Sequence, residues 1–425
     1  MSSASPTVAV LATLNTKGRE AQFVAEALSR AGVTPWLVDL SLKAHDGEAF
    51  GIAGGSVAAA VGESWEALSA RSRQDAAAAM AAGGGKILLD RFAKGELAGV
   101  IGLGGANGTS LACAIMRALP YLVPKIMVST VAGTAAVQWY VAESDIAVYP
   151  SIGDVALNRV TGAVMETAAL AVAAAAKNWA RRQREHSAGA PLVAVSSFGG
   201  TAACVDRVRE RLEALGYEVI LFHASGVGGK SLERLAAGGE LAGVIDVTTH
   251  ELIDLIVDGV YSAGEHRLTG AGAAGLPQVV VPGAIDHANL WVGQVPERYR
   301  TRDFFQYNAH NLLMRTNAEE FEILGFEFGK RLAIATGPVR VLIPLAGFSE
   351  HTKRRAHDLY GNDRGPWQRR EDYRLFADSL KRNLNGDCVL EHDLHINDPA
   401  FADACVAAFV AIANRSNANR SNAKR

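Results

Sequence analysis

Short β-branched runs alternate with Ala-rich segments of helical period along most of this 425-residue chain. Val8–Leu11, Pro35–Leu40, Leu97–Leu103, Pro124–Ser129 and Asp145–Tyr149 read as strands, and Gly18–Arg30, Trp65–Ala82 and Asn107–Leu119 as helices between them. Alternation of this kind predicts parallel sheets covered by helices on both faces. A long helix from Thr161 to Arg184 closes the first half. The charged and then Gly/Ala/Pro-rich string RRQREHSAGAP after it is the best linker candidate.

The pattern then starts again. PTVAVLATLNTKGREAQFVAEALSRAGVTPWLVDL is echoed by PLVAVSSFGGTAACVDRVRERLEALGYEVILFHAS, and GKILLDRFAKGELAGVIGLGG by GKSLERLAAGGELAGVIDVTT. VPKIMVST and LPQVVVPG repeat in the same order. Gly85 matches Gly229 and Val100 matches Val244 at one constant separation, with an insertion after Leu40 in the first copy. The reading is an α/β protein of two Rossmann-like lobes with mostly parallel sheets and a ligand cleft between them. The lobes are placed at 1–186 and 187–413, the second completed by a helix (Glu319–Thr336), a strand (Val339–Leu345), a helix near Tyr373–Leu384, a strand (Asp387–Glu391) and a helix from Pro399. The polar repeat NRSNANRSNAKR makes 414–425 a disordered tail.

Composition narrows the function classes. A chain of this length has a prior of two to three domains at roughly 150 residues each. It is 49% hydrophobic with a formal net charge of −2, which excludes intrinsic disorder. A pI near 6.6 argues against nucleic-acid binding through a basic face. Four scattered cysteines give neither zinc spacing nor a disulfide framework. The N-terminus lacks a basic signal-peptide region. The apolar stretch Ala163–Ala176 falls short of a ~20-residue membrane span. A soluble, cytoplasmic protein is expected, with no membrane and no nucleic-acid partner.

The strongest local chemistry is VIGLGGANGTSLACAIMRAL. An apolar strand runs into Gly104, Gly105, Asn107 and Gly108, and Thr109 opens a helix, which suits backbone N–H groups to an anion. No Lys follows Gly108 as a Walker loop requires, and Asn107 replaces the third glycine of the dinucleotide fingerprint. Thr13, Asn15 and Lys17 end the first strand, with Lys17 as the missing point charge, and Ser129 and Thr130 end another. Asn15 or Thr16 equally serves as a helix cap, and the glycine loop as a plain tight turn.

Strand ends of the second lobe differ: Asp246, Thr248, Thr249, His250 and Glu251; Asp286, His287 and Asn289; Arg315; Ser349; and Asp393, His395, Asn397 and Asp398. Acid–base chemistry would draw on His250, Glu251, Asp286, His395 and Asp398, with Arg315 as a cationic clamp. No spacing identifies a metal ligand set. Asp398 before Pro399 also reads as the cap of the last helix.

ATLNTKG, GLGGANGTSLACAIMRALP, PKIMVSTVAG, LPQVVVPGAID, HNLLMRTNAEE, PLAGFS and HDLHINDPAF together resemble the UPF0261 family from about Val8 to Ala411. That family is similar to the N-terminal ATP-binding region of the tomato Tm-1 resistance protein. The resemblance implies two Rossmann-like subdomains, ATP as the nucleotide and a homodimer, and phosphoryl transfer would add Mg²⁺ held by one or two carboxylates and by phosphate. The resemblance also implies a TIM-barrel partner that would here be a separate polypeptide. Asn15 stands where the family often has Asp, removing a carboxylate, and the insertion after Glu350 departs from its pattern. The expected function is an ATP-dependent enzyme acting on a small carboxylate or hydroxyl substrate. The alternative is a non-catalytic nucleotide- or small-ligand-binding module.

Overall fold

The structure is a computed structural model and describes residues 5–43, 51–185 and 189–423. Its internal contacts divide the chain into two compact units, 1–188 and 189–425. The centre of the linker candidate, residues 186–188, lies outside the described residues.

In the first unit, β1 (Thr7–Ala12), β2 (Thr34–Asp39), β3 (Gly51–Ile52), β4 (Gly99–Gly104), β5 (Lys125–Ser129) and β6 (Ala147–Pro150) form one sheet. Their order is β3-β2-β1-β4-β5-β6, and every pairing is parallel. A parallel sheet covered on both faces needs strands that are apolar throughout, and Val8–Leu11 is fully buried. Successive side chains of β1 serve opposite cores. Val8 and Val10 pack with Val24 and Leu28 of the helix Leu14–Arg30 and with Met165 and Val172 of the helix Arg159–Arg184. Ala9 and Leu11 pack with Met80 and Leu88 of the helix Arg73–Ala93 and with Cys113 and Met116 of the helix Ala106–Ala118. Arg159–Arg184 is long and apolar enough to cross a membrane by length and composition, and one of its faces is buried in this core.

The segment Trp65–Ala82, expected as one helix, is two. Trp65–Ser69 is capped by Ser64, and Arg73–Ala93 starts afresh at Ser72, whose Oγ accepts the Asp75 N–H at 3.1 Å. A serine competing for backbone N–H groups divides the run.

The second unit contains β7 (Leu192–Ser197), β8 (Glu218–His223), β9 (Gly243–Thr248), β10 (Gln278–Gly283), β11 (His287–Trp291) and β12 (Phe304–Gln306). It continues with β13 (Asn311–Arg315), β14 (Val339–Pro344), β15 (Arg355–His357), β16 (Asp363–Pro366) and β17 (Val389–His392). Its main sheet has the order β17-β14-β10-β9-β7-β8, all parallel. Without the edge strands β3 and β17, the two sheets share one order, β2-β1-β4-β5-β6 matching β8-β7-β9-β10-β14. The repeated sequence segments fall on corresponding strands, so the protein is α/β with two Rossmann-like sheets.

A third sheet was not expected. β11, β13, β12, β15 and β16 pair antiparallel in that order. Leu290, Phe304, Leu312 and Met314 from this sheet join Phe321 and Phe328 in the largest core of the unit. The last helix runs from Pro399 to Ala423, over most of the residues read from sequence as a polar tail. That stretch contains no glycine or proline after Pro399 to stop a helix.

Candidate functional site

In the first sheet, strand order reverses at β1 and β4, the place where an open parallel sheet leaves a crevice at its carboxyl edge. β4 ends at Gly104, and Gly105 caps the helix Ala106–Ala118. A Cβ on Gly104 would stand 2.7 Å from the Gly108 Cα and 2.9 Å from its carbonyl carbon, so the loop closes only with glycine there. No side chain caps this helix, leaving its first N–H groups and positive dipole end for an anion.

A cavity of about 940 Å³ opens at this edge. Thr13, Asn15 and Thr16 line one side, and Asn107, Gly108 and Ser110 line the helix start. The insertion after Leu40 closes it with Lys43, Arg71 and Arg73. Arg71 also pairs with Glu63 at 2.6 Å. These three cations were not anticipated, because nothing in the sequence placed the insertion over the glycine loop.

Several expected ligand groups are otherwise engaged. Lys17 donates to the Val155 carbonyl and lies 3.7 Å from Asp154, where the helix Leu14–Arg30 is locally non-helical. It tethers the loop after β6 and does not line the cavity. Thr109 and Ser129 are fully buried and bond each other at 2.7 Å. Their hydroxyls pin the glycine loop from beneath. Thr130 is exposed, its N–H 3.4 Å from the Gly104 carbonyl. Asn15 bonds Ser41, which bonds Asp39. No carboxylate is among the described lining residues.

The second unit gathers its charges differently. Arg267 is fully buried and meets three carboxylates: Glu251 at 2.7 Å, Glu233 at 3.0 Å and Asp246 at 2.8 Å. Glu251 also accepts the Gly226 and Gly229 N–H groups at 2.7 and 3.1 Å. Burial pushes the Glu251 and Glu233 carboxyls up, while Arg267 opposes that shift. Glu251 is thus a structural anchor, not a free acid or base. Arg267 left no signal in the sequence, since it sits between elements in a loop.

Arg315 is also occupied. It ends β13, pairs with Asp303 and donates to the Pro366 carbonyl at 3.2 Å. Asp398 accepts the Ala400 N–H at 2.9 Å as the cap of the last helix. His395 Nε2 lies 2.9 Å from Thr352 Oγ1 and 3.0 Å from the Ser349 carbonyl, and its Nδ1 accepts the Asn397 N–H at 3.1 Å. Burial lowers its pKa. His395 feels the charges of both Asp286 and Asp398, and it shares Ser349 with Asp286.

His250 and Asp286 do share a neighbourhood. His250 follows β9, Asp286 and His287 follow β10, and His351 follows β14, all at the carboxyl edge of the parallel sheet. His250 and His287 rings stand 6.1 Å apart and nearly parallel, and His287 and His351 stand 5.1 Å apart edge to face. Asp286 lies 3.2 Å from His287 Nδ1 and accepts Ser349 Oγ–H at 2.8 Å and Trp367 Nε1–H at 3.2 Å. Burial would raise Asp286, but His287 and its other donors hold the carboxyl below its ordinary value. Burial drives His250 well below the usual imidazole range and His351 to about 4. Among the described residues, no three His, Cys, Asp or Glu side chains converge as a metal site requires.

Comparison with known proteins follows the same division. The UPF0261 N-terminal domain, of an uncharacterised protein family, matches residues 6–181, and the UPF0261 C-terminal domain matches residues 190–413. A UPF0261 protein of Mesorhizobium japonicum is 39% identical over 418 residues, covering 95% of this chain and 98% of the relative. One from Clostridium tetani is 35% identical over 93% of this chain and 96% of its own length. The ToMV resistance protein Tm-1(GCR237) of Solanum lycopersicum is 35% identical over 76% of this chain and 42% of its own length.

Proposed function

The chain belongs to the UPF0261 family, and from that premise we propose that its first unit binds a nucleotide, ATP, and that the protein is an ATP-dependent enzyme of small-molecule metabolism. The observation that carries this reading is the cavity at the β1–β4 switch point. It joins an uncapped helix start behind a glycine turn to three cationic side chains. Gly104, Gly105, Asn107 and Gly108 would take the phosphates through backbone N–H groups, with Lys43, Arg71 and Arg73 supplying the charge expected of Lys17. The phosphates would bring their own Mg²⁺. A carboxylate or hydroxyl compound is the proposed substrate class. We further propose a cytoplasmic homodimer, with a separate TIM-barrel polypeptide as partner; the four unpaired cysteines suit a reducing compartment.

A second reading, a non-catalytic nucleotide-binding module, is favoured by one observation. Glu251, Arg315, His395 and Asp398 are each held in bonds that build the fold. A thermal-shift panel of ATP, ADP, NAD and sugar phosphates tests both. Ligand at ~100 times its Kd should stabilise the protein by about 2.7 kcal/mol. Absence of any shift with adenine nucleotides at millimolar concentration would remove the ATP reading. A shift without turnover against candidate substrates would favour the module.

A further inference from the structure

The three histidines at the carboxyl edge of the second sheet have no bonding partner for most of their ring nitrogens. His250 and His287 are fully buried and His351 is 2% exposed. Both nitrogens of His250, Nε2 of His287 and Nδ1 of His351 are buried without a hydrogen bond. A buried polar group left unmade is costly, so such a cluster marks a place where something else is meant to bind. His287 has the additional property of direction. Asp286 holds its Nδ1, and Asp286 is in turn fixed by Ser349 and Trp367. A carboxylate that accepts the Nδ1 proton leaves Nε2 as a lone pair aimed into the cluster, the arrangement of an oriented general base.

The walls are aromatic. Phe198 lies 4.3 Å from the His250 ring and 5.9 Å from Tyr261, and Tyr307 lies 5.8 Å from His351. Phe198 and Tyr261 are partly exposed and Tyr307 half-exposed, and so lie between the buried imidazoles and the surface. Glycines 199 and 200 adjoin this roof: a Cβ on Gly199 would stand 3.3 Å from the Tyr307 hydroxyl and one on Gly200 3.6 Å from His351 Nε2. Arg267, the nearest buried cation, is already committed to three carboxylates. Arg354 stacks over Phe305, which in turn meets His351. Aromatic walls, with Asp286 already held by His287, Ser349 and Trp367, suit a flat ring that carries a hydroxyl.

We propose that His287, oriented by Asp286, is the proton acceptor of a second binding site in the 189–425 unit, and that this site takes a neutral aromatic hydroxyl compound of the phenol class. In the step, the ligand O–H bond breaks and an N–H bond forms at His287 Nε2. The electron pair stays on the ligand oxygen, and the imidazolium that results is balanced by Asp286. His250 stacks beside it and His351 meets it edge to face. The site lies wholly in the second unit and does not depend on a nucleotide in the first.

p-Nitrophenol is a suitable probe because its ionised form absorbs in the visible. Titrated into the intact protein at a pH where the free probe is mostly protonated, it should bind and show the phenolate band. His287→Gln should still bind the probe but lose that band, and Asp286→Asn should reduce the ionised fraction by roughly tenfold, the effect of removing a neighbouring opposite charge. Nitrogen NMR of the histidine-labelled wild-type protein gives a check that needs no variant to fold. His287 should carry its proton on Nδ1, with the Nε2 signal moving when p-nitrophenol is added. No binding, a bound probe that stays protonated, or an Nε2–H tautomer would overturn the proposal. So would a transition metal that copurifies stoichiometrically and is lost in His287→Gln.

Discussion

At the scale of single residues, the second unit is organised by buried charge. Arg267 is fully buried and pairs with Asp246, Glu233 and Glu251. Breaking such a cluster by removing one partner leaves uncompensated charge, which costs far more than the intact pair contributes. Arg267→Met should therefore destabilise the protein by about 3–5 kcal/mol, read as a lower urea midpoint. Asp254 gives a prediction in pH. It is fully buried, accepts the Asn289 and Tyr261 N–H groups at 2.7 and 3.0 Å, and burial raises its pKa to about 7 from 3.8. Between those values the native state holds a proton that the unfolded state has released, so this group's contribution falls as pH rises. The difference in unfolding free energy between wild type and Asp254→Asn should drop from pH 4 to pH 7, by up to roughly 4 kcal/mol, and stay flat above. A difference that does not vary over this window would show that Asp254 ionises normally.

At the scale of elements, close approach explains where glycine stands. The helix Arg73–Ala93 carries Gly83, Gly84 and Gly85 in its middle, each costing up to ~1 kcal/mol relative to Ala in an ordinary helix. A Cβ on Gly83 would fall 2.1 Å from the Val57 carbonyl oxygen and one on Gly84 2.6 Å from the Ile115 Cδ1. The helix thus lies hard against the helix Gly54–Ala59 on one side and Ala106–Ala118 on the other, which fixes the insertion beside the cavity. Gly83→Ala should destabilise the protein by about 1–3 kcal/mol despite its better helix propensity, because backbone must move. Chemical denaturation would show this, and a stabilised Gly83→Ala would mean the helices are free to separate. The parallel strands were legible in the sequence because burial on both faces demands unbroken apolar runs such as Val8–Leu11 and Val279–Val281. The antiparallel sheet was not. Arg355–His357 and Asp363–Pro366 are short, charged and largely exposed, so their hairpin shows no apolar alternation, and it joins the sheet only through the remote pairing of His357 with Phe304. The candidate site was legible to the same degree. Gly104 and Gly108 announce themselves by spacing. Arg71 and Arg73 reach the cavity only through the packing of the insertion, and His351 opens the insertion after Glu350, which stood out only as a departure from the family pattern.

At the scale of the whole molecule, each unit has its own hydrophobic cores and its own parallel sheet. A unit of 188 or 237 residues is large enough to bury such a core without help from a neighbour. The proposed nucleotide groups, from Thr13 to Ser110, all belong to the first unit, and the proposed proton acceptor to the second. The two activities should therefore separate with the chain. Fragments 1–188 and 189–425 should each unfold cooperatively. ATP should raise the melting temperature of the first fragment by as much as the same multiple of Kd raises it in the intact chain, since stabilisation follows ligand occupancy of the folded state alone. The second fragment should be indifferent to ATP. A nucleotide effect that vanishes in fragment 1–188, with the fragment folded, would mean that the second unit supplies part of the nucleotide site.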